Sequence, residues 1–148
     1  MRRVEPHPVW IGHAGELRTP RLHAEHGIVA LVDLAVDEAP FVPPREMVIH
    51  RIPLLDGAGN EAWILEHALR TVSGLVRSGT PTLVACSAGM SRSPSVVAAS
   101  IALATGQEPQ EVLARIAADE STDVSGLLWE KICAVVMAMR SFRPAHGQ

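Results

Sequence analysis

Tyrosine is absent from this 148-residue chain, phenylalanine and cysteine each occur twice, and Lys131 is the only lysine. Each scarcity closes something off. Two cysteines, Cys86 and Cys133, cannot build the disulfide framework of a small secreted domain. They point to a reducing compartment such as the cytosol, where a thiol stays available. With no run of Lys or Arg and a net charge of −3, the chain has no electrostatic footprint for nucleic acid or for an anionic membrane surface. Long apolar runs are missing as well: the longest, around residues 95–104, is too short and too small in side chain to cross a bilayer. Arg2 and Arg3 stand where a secretory signal begins, but Glu5, Pro6, His7 and Pro8 occupy the place of its apolar core. The seven histidines are scattered without metal-ligand spacing, so no metal site is expected.

What is there is 47% hydrophobic and 20% charged, the balance of a globular protein, in a length that suits one domain over 1–148. VWIG (9–12) and GIVALVDL (27–34) read as short strands with a helical stretch over 17–26 between them. Pro40, Pro43 and Pro44 make 38–45 a surface loop. MVIHRIPLL (47–55) is the next strand, ended by DGAGN. Over 61–77, Ile64, Leu65, Ala68, Leu69, Val72, Leu75 and Val76 form one helical stripe, with Asn60 placed to cap its start and Gly79 to follow its end. Residues 81–86 are an uninterrupted apolar strand, the pattern of a sheet centre buried on both faces. Ser93 and Pro94 read as N-cap and first residue of a helix reaching 104–106. Two further helices span 108–118 and 126–140, with Cys133 as a small hydrophobe on a buried face, and 141–148 form a loose tail. Strands alternating with helices predict an α/β fold with a central, largely parallel sheet flanked by helices.

The chemistry concentrates in VACSAGMSRSP (84–94). In open α/β sheets, ligands bind where loops leave the carboxyl ends of strands, and Cys86 ends the most buried-looking strand. Small residues leading into a helix N-terminus can turn successive backbone N–H groups inward as an anion nest, with the helix dipole behind them. Gly89 permits conformations other residues avoid, and Arg92 offers a bidentate fork to two oxygens of a phosphate. A thiol in such a field ionises readily and becomes a nucleophile. The loop is not a Walker loop, because the Gly-Lys-Ser/Thr element is missing. A proton must also reach the departing oxygen, and Asp33, Asp37, Asp56 and Glu61 are the upstream candidates. Asp56, which follows a strand in a Gly-containing loop 30 residues before Cys86, is the leading candidate, with a simple turn former in Leu-Asp-Gly as the alternative. Asp33 and Asp37 suit loop or capping roles.

Cys86-Ser87-Ala88-Gly89-Met90-Ser91-Arg92-Ser93 resembles the signature loop of the cysteine-dependent protein tyrosine phosphatases, in particular the dual-specificity branch. The resemblance extends over about 9–137, with HRIPLLDGAGN similar to the segment that carries the family's general acid. It implies Cys86 as nucleophile and residues 87–92 as the phosphate-binding loop, with Arg92 holding the phosphoryl oxygens. It further implies Asp56 as acid and then base, and Ser93 as the hydroxyl that hydrogen-bonds the sulfur. Ala88 and Met90 would line a neutral rim. No cofactor is implied, and the partner is a phosphorylated protein or a small phosphate ester. With no Tyr and two Phe, few residues can build an aromatic wall around phosphotyrosine, which favours a shallow site. One position departs from the pattern: Ala85 stands where the family has a histidine that braces the loop. That departure supports one rival to a protein phosphatase, a phosphate-binding module without catalysis; a second rival keeps the chemistry and acts on a non-protein phosphate ester.

Overall fold

The computed structural model describes residues 1–119 and 122–142. In chain order the elements are β1 (Arg2–Arg3), β2 (Val9–His13), α1 (Ala14–Leu17), α2 (Pro20–His26), β3 (Ala30–Ala35), β4 (Val48–Leu54), α3 (Ala62–Arg77), β5 (Thr82–Cys86), α4 (Arg92–Thr105), α5 (Pro109–Asp119) and α6 (Gly126–Ser141). The strands form one sheet in the order β1-β2-β5-β3-β4. β2, β5, β3 and β4 run parallel, and β1, which sequence periodicity does not announce, joins β2 antiparallel. This is the largely parallel, helix-flanked sheet the alternation predicts.

The position of each strand follows from its pattern. All five residues of β5 are buried, as an apolar run without alternation requires at a sheet centre. β4 is solvated along its first half and contains Pro53, which an edge strand tolerates because one row of its N–H groups needs no partner. Period-two alternation splits the core in two. Val84 and Cys86 face the larger cluster with Ile11, Val32, Leu65, Leu69, Val97 and Ile132. Leu83 and Ala85 face the smaller one with Trp10, Leu17, Ile28 and Leu31. At the centre of the larger cluster lies α4, buried from Arg92 through Ala102. Its Ser95, Ala98, Ala99, Ser100 and Ala102 have so little side chain that neighbouring helices approach it closely, and Ser95 Oγ donates to Ser91 O at 2.7 Å.

Four local expectations are corrected. α4 begins at Arg92 rather than at Pro94, with Ser91 at the N-cap and no side-chain capping bond. The first four N–H groups of a helix have no internal partner, so Pro94 fits at the third helical position and Ser93 is inside the helix, not its cap. Asn60 does not cap α3 either: the N-cap is Glu61, and Asn60 turns back into the preceding loop. The helical stretch expected over 17–26 is two helices, because Pro20 opens α2 at its first position and His13 caps a separate α1. α6 reaches Ser141, so residue 141 is helical rather than part of the expected loose tail, and 143–148 lie outside the described residues.

Candidate active site

Cys86 sits at the carboxyl end of the central strand, 3% exposed, and the chain then turns through Ser87–Ser91 into α4. The turn depends on Gly89, whose φ of +74° is a region that side chains disfavour. Its N–H donates to Cys86 Sγ at 3.2 Å. A Cβ on Gly89 would lie 2.9 Å from the Gly12 carbonyl oxygen, so the loop rests against the end of β2. A backbone bond from Ala14 N to Ser87 O at 3.3 Å joins the two.

Arg92, 5% exposed, is held from behind. Its Nη1 donates to Asp37 Oδ1 at 2.7 Å and to the Leu54 carbonyl at 2.9 Å. Nη2 donates to Ser87 Oγ at 3.0 Å, and that hydroxyl donates on to Asp37 Oδ2 at 3.1 Å. Arginine, serine and aspartate thus close a ring that ties the first residue of the loop to the chain just beyond β3. A guanidinium has five N–H donors. Two on Nη1 and one on Nη2 are engaged, which leaves the Nε–H and the second Nη2–H as the edge available to a phosphate. The hydrogen bond from Arg92, aided by Ser87, holds the Asp37 carboxyl below the usual carboxylate range. Burial, the largest influence on Arg92, lowers its pKa, but the Asp37 hydrogen bond and the charges of Asp37, Cys86 and Asp56 together raise it.

Of the four acids singled out in the sequence, two reach the loop: Asp37 at Ser87 and Arg92, and Asp56, to whose Oδ1 Ser91 Oγ donates at 2.6 Å. The same Ser91 oxygen accepts from Ser125 N at 3.0 Å, and Asp123 N donates to Met90 O at 2.8 Å. The segment before α6 therefore clamps the far side of the loop. Asn60, buried, organises the loop that carries Asp56. Its Oδ1 accepts from Leu55 N at 2.8 Å, and its Nδ2 donates to Leu55 O at 2.8 Å and Gly57 O at 3.3 Å. Lys131 Nζ donates to the Asn60 carbonyl from α6. Asp33 is elsewhere: it accepts from Ala35 N at 3.2 Å and lies 3.8 Å from Arg51, with burial pushing its pKa up. Glu61 accepts from Trp63 Nε1 at 3.0 Å.

Ser93 is wholly buried, and among the described residues its Oγ has no hydrogen-bond partner. The bond to sulfur that the resemblance implies is not formed in this structure, where the sulfur accepts from Gly89. Ala88 and Met90 are exposed at the rim. Ala85 points into the small apolar cluster on the opposite face from Cys86, and Asp37, Leu54, Ser125 and Gly12 brace the loop. Among the described residues no group of three His, Cys, Asp or Glu side chains is arranged to hold a metal ion. Two cavities, of about 660 and 1080 Å³, lie away from the loop.

The Leu54 carbonyl and Ser125 are participants that sequence reasoning missed, and Asp37 and Asn60 are participants to which it gave other roles. The one available signal for Asp37 was its place just past the carboxyl end of a parallel strand, and that matters only once β3 is known to lie beside β5.

Together, this sheet order and a Cys-to-Arg loop at the end of its central strand define the fold of the dual-specificity phosphatases. Solved structures with that fold cover nearly the whole chain. Human DUSP28 superposes with a TM-score of 0.81 at 18% identity, over 97% of this chain and 100% of its own. DUSP15 gives 0.76 at 17% identity, over 97% of each chain. PTPMT1 in complex with PI(5)P gives 0.72 at 16% identity, over 95% of this chain and 96% of its own. No protein-family model matches the sequence, and no curated protein matches it.

Proposed function

We propose that the chain is a metal-independent phosphomonoesterase of the dual-specificity type, acting on phosphotyrosine, with or without phosphoserine and phosphothreonine, of proteins. The observation that carries this reading is the convergence on one loop of a buried sulfur, a guanidinium with one edge left open and a carboxylate bonded to the loop's own Ser91. The Cys86 thiolate attacks phosphorus and the ester P–O bond breaks. The loop N–H groups and the open edge of Arg92 hold the remaining phosphoryl oxygens, where charge develops in the transition state. Ser91 occupies Oδ1 of Asp56, so Oδ2 carries the proton passed to the departing oxygen. Water then attacks the cysteinyl phosphate, Asp56 accepts its proton, and inorganic phosphate leaves as the thiolate is restored. Ser93, a buried hydroxyl one residue past Arg92, is the donor we assign to the sulfur as it departs. A reducing compartment such as the cytosol suits two unpaired cysteines, and among the described residues no helix is long and apolar enough to cross a membrane.

Hydrolysis of an aryl phosphate in excess EDTA tests the reading, comparing wild type with Cys86→Ser and Asp56→Ala across pH. Chelator-resistant turnover that Cys86→Ser abolishes, and that loses its high-pH limb in Asp56→Ala, is expected. Turnover that EDTA removes would sink the cysteine mechanism. Ala85 favours a second reading, a phosphate-binding module. Vanadate binding to a wild-type protein without turnover would establish that one.

A further inference from the structure

The surroundings of the loop carry information about what is attached to the phosphate. Four exposed apolar residues belong to the loop or to the segments bonded to it: Val36, Leu55, Met90 and Leu127, at 43%, 49%, 39% and 62% exposure. Each lies in the loop or within two residues of a group bonded to it, namely Asp37, Leu54 and Asp56, or Ser125. The charged side chains in the same ring are acidic. Asp37, Asp56 and Asp123 are exposed, and the half-buried Glu38 follows Asp37.

The basic groups near this ring are committed to other partners, and the open edge of Arg92 serves the bound phosphate itself. Arg92 is buried with Asp37, Leu54 O and Ser87. Lys131 donates to the Asn60 carbonyl behind the acid-bearing loop, Arg51 faces Asp33, and Arg18 donates to Ala39 O over the Phe41 ring. His13, beside Cys86 in the sheet, accepts from Gly15 N and Glu16 N through Nδ1 and has Nε2 3.5 Å from Glu16 Oε1. Among the described residues, a second negative group next to the bound phosphate therefore meets carboxylates and aliphatic carbon first, with the nearby basic side chains held by other partners.

We propose that the site selects phosphoprotein segments whose phosphorylated residue is flanked by basic and apolar residues, and discriminates against acidic flanks and multiply phosphorylated headgroups. This rests on the phosphatase reading and deepens it by naming the charge class of the substrate. Asp37 is already paired with Arg92. Asp123, exposed, and Glu38, half-buried, act on the flanks, each attracting Arg and repelling Asp modestly, and together they shift affinity roughly tenfold between basic and acidic flanks at low salt. Screening with a Debye length of about 3 Å at molar ionic strength removes most of that difference.

The test measures fluorescence-anisotropy binding of two phosphotyrosine peptides, identical but for Arg or Asp flanks, to Cys86→Ser at 50 mM and 1 M NaCl. The same peptides and a soluble short-chain PI(5)P are assayed for turnover by wild type. The expected results are about tenfold tighter binding of the Arg-flanked peptide at low salt, near equality at high salt, and the lipid as the poorest substrate. Leu127→Lys, which adds a cation to the rim, is expected to raise affinity for the Asp-flanked peptide severalfold. Equal binding of both peptides at low salt, tighter binding of the acidic one, or preferred turnover of the lipid would each overturn the proposal, and each would leave the cysteine phosphomonoesterase chemistry in place. Charge-selective binding with no wild-type turnover would support the proposal and remove the phosphatase reading.

Discussion

Removing Asp37 tests whether it orients Arg92 or competes with the substrate for it. The carboxylate takes one of the two Nη1 hydrogens at 2.7 Å and a Ser87 hydroxyl at 3.1 Å. The Leu54 carbonyl takes the other Nη1 hydrogen at 2.9 Å, so both carboxylate oxygens work on the side of the guanidinium away from its open edge. A hydrogen bond to a charged group contributes about 1.5–3 kcal/mol. The Asp37 side chain is 58% exposed, and water screens it, which leaves about 1–2 kcal/mol. At about 1.4 kcal/mol per tenfold, Asp37→Ala is expected to lower kcat/KM by about 5–30-fold. Asp37→Asn keeps an acceptor for Nη1, and its amide can donate to Ser87 Oγ, so it is expected to lose about half as much free energy. Turnover of an aryl phosphate gives kcat and KM, and protection of Cys86 from alkylation by inorganic phosphate gives phosphate affinity without turnover. An orienting Asp37 predicts weaker phosphate protection and lower kcat in both variants. Tighter phosphate binding and lower KM in Asp37→Ala would refute the reasoning, because they would show the carboxylate occupying the substrate's place. The pH sense follows from the lowered pKa of Asp37. Its contribution to stability is present above the ordinary carboxylate value, about 4, and is lost as pH falls through the still lower folded value, so the effect of Asp37→Asn on unfolding should be constant from pH 5 to 8.

Gly89→Ala places a Cβ 2.9 Å from the Gly12 carbonyl at a φ of +74°. It is expected to cost about 1–2 kcal/mol in thermal unfolding and to abolish phosphate protection of Cys86. Asn60→Ala leaves Leu55 N, Leu55 O and Gly57 O without their partner and is expected to destabilise by about 2 kcal/mol. It should lower kcat more than it raises KM, because Asp56 loses its place, and an equal effect on both parameters would count against Asp56 as the acid. Burial raises the pKa of Asp33, so the unfolded chain releases that proton first and wild type loses stability as pH rises through the folded value. The stability of wild type relative to Asp33→Asn, followed by denaturant unfolding from pH 4 to 8, should therefore fall with pH.

The sheet and the loop were legible because their signals are local. An unbroken apolar run before Cys86, small residues after it and prolines over 40–44 say strand, turn and surface loop without reference to anything distant. The alternation of elements then fixes a largely parallel sheet. The groups that aim the site come from far away in sequence. Arg92 meets Asp37 across 55 residues and Leu54 across 38, and Ser91 meets Asp56 across 35. Such pairs depend on β3 lying beside β5, a neighbour relation that periodicity does not encode. Asn60 misled for a related reason: the residue type that caps a helix also closes a turn, and the Leu55 backbone groups outcompeted the α3 terminus for its amide. Ser93-Pro94 looked like a helix start because proline tolerates any of the first turn's positions, and α4 begins two residues earlier.

The most direct measurement is acid quench of wild type and Asp56→Ala during aryl phosphate turnover, followed by peptide mass spectrometry. The account predicts a phosphoryl adduct on the peptide containing Cys86, absent in Cys86→Ser and accumulating in Asp56→Ala, where water lacks its base. Turnover that survives in Cys86→Ser, or an adduct carried by any other residue, would contradict it.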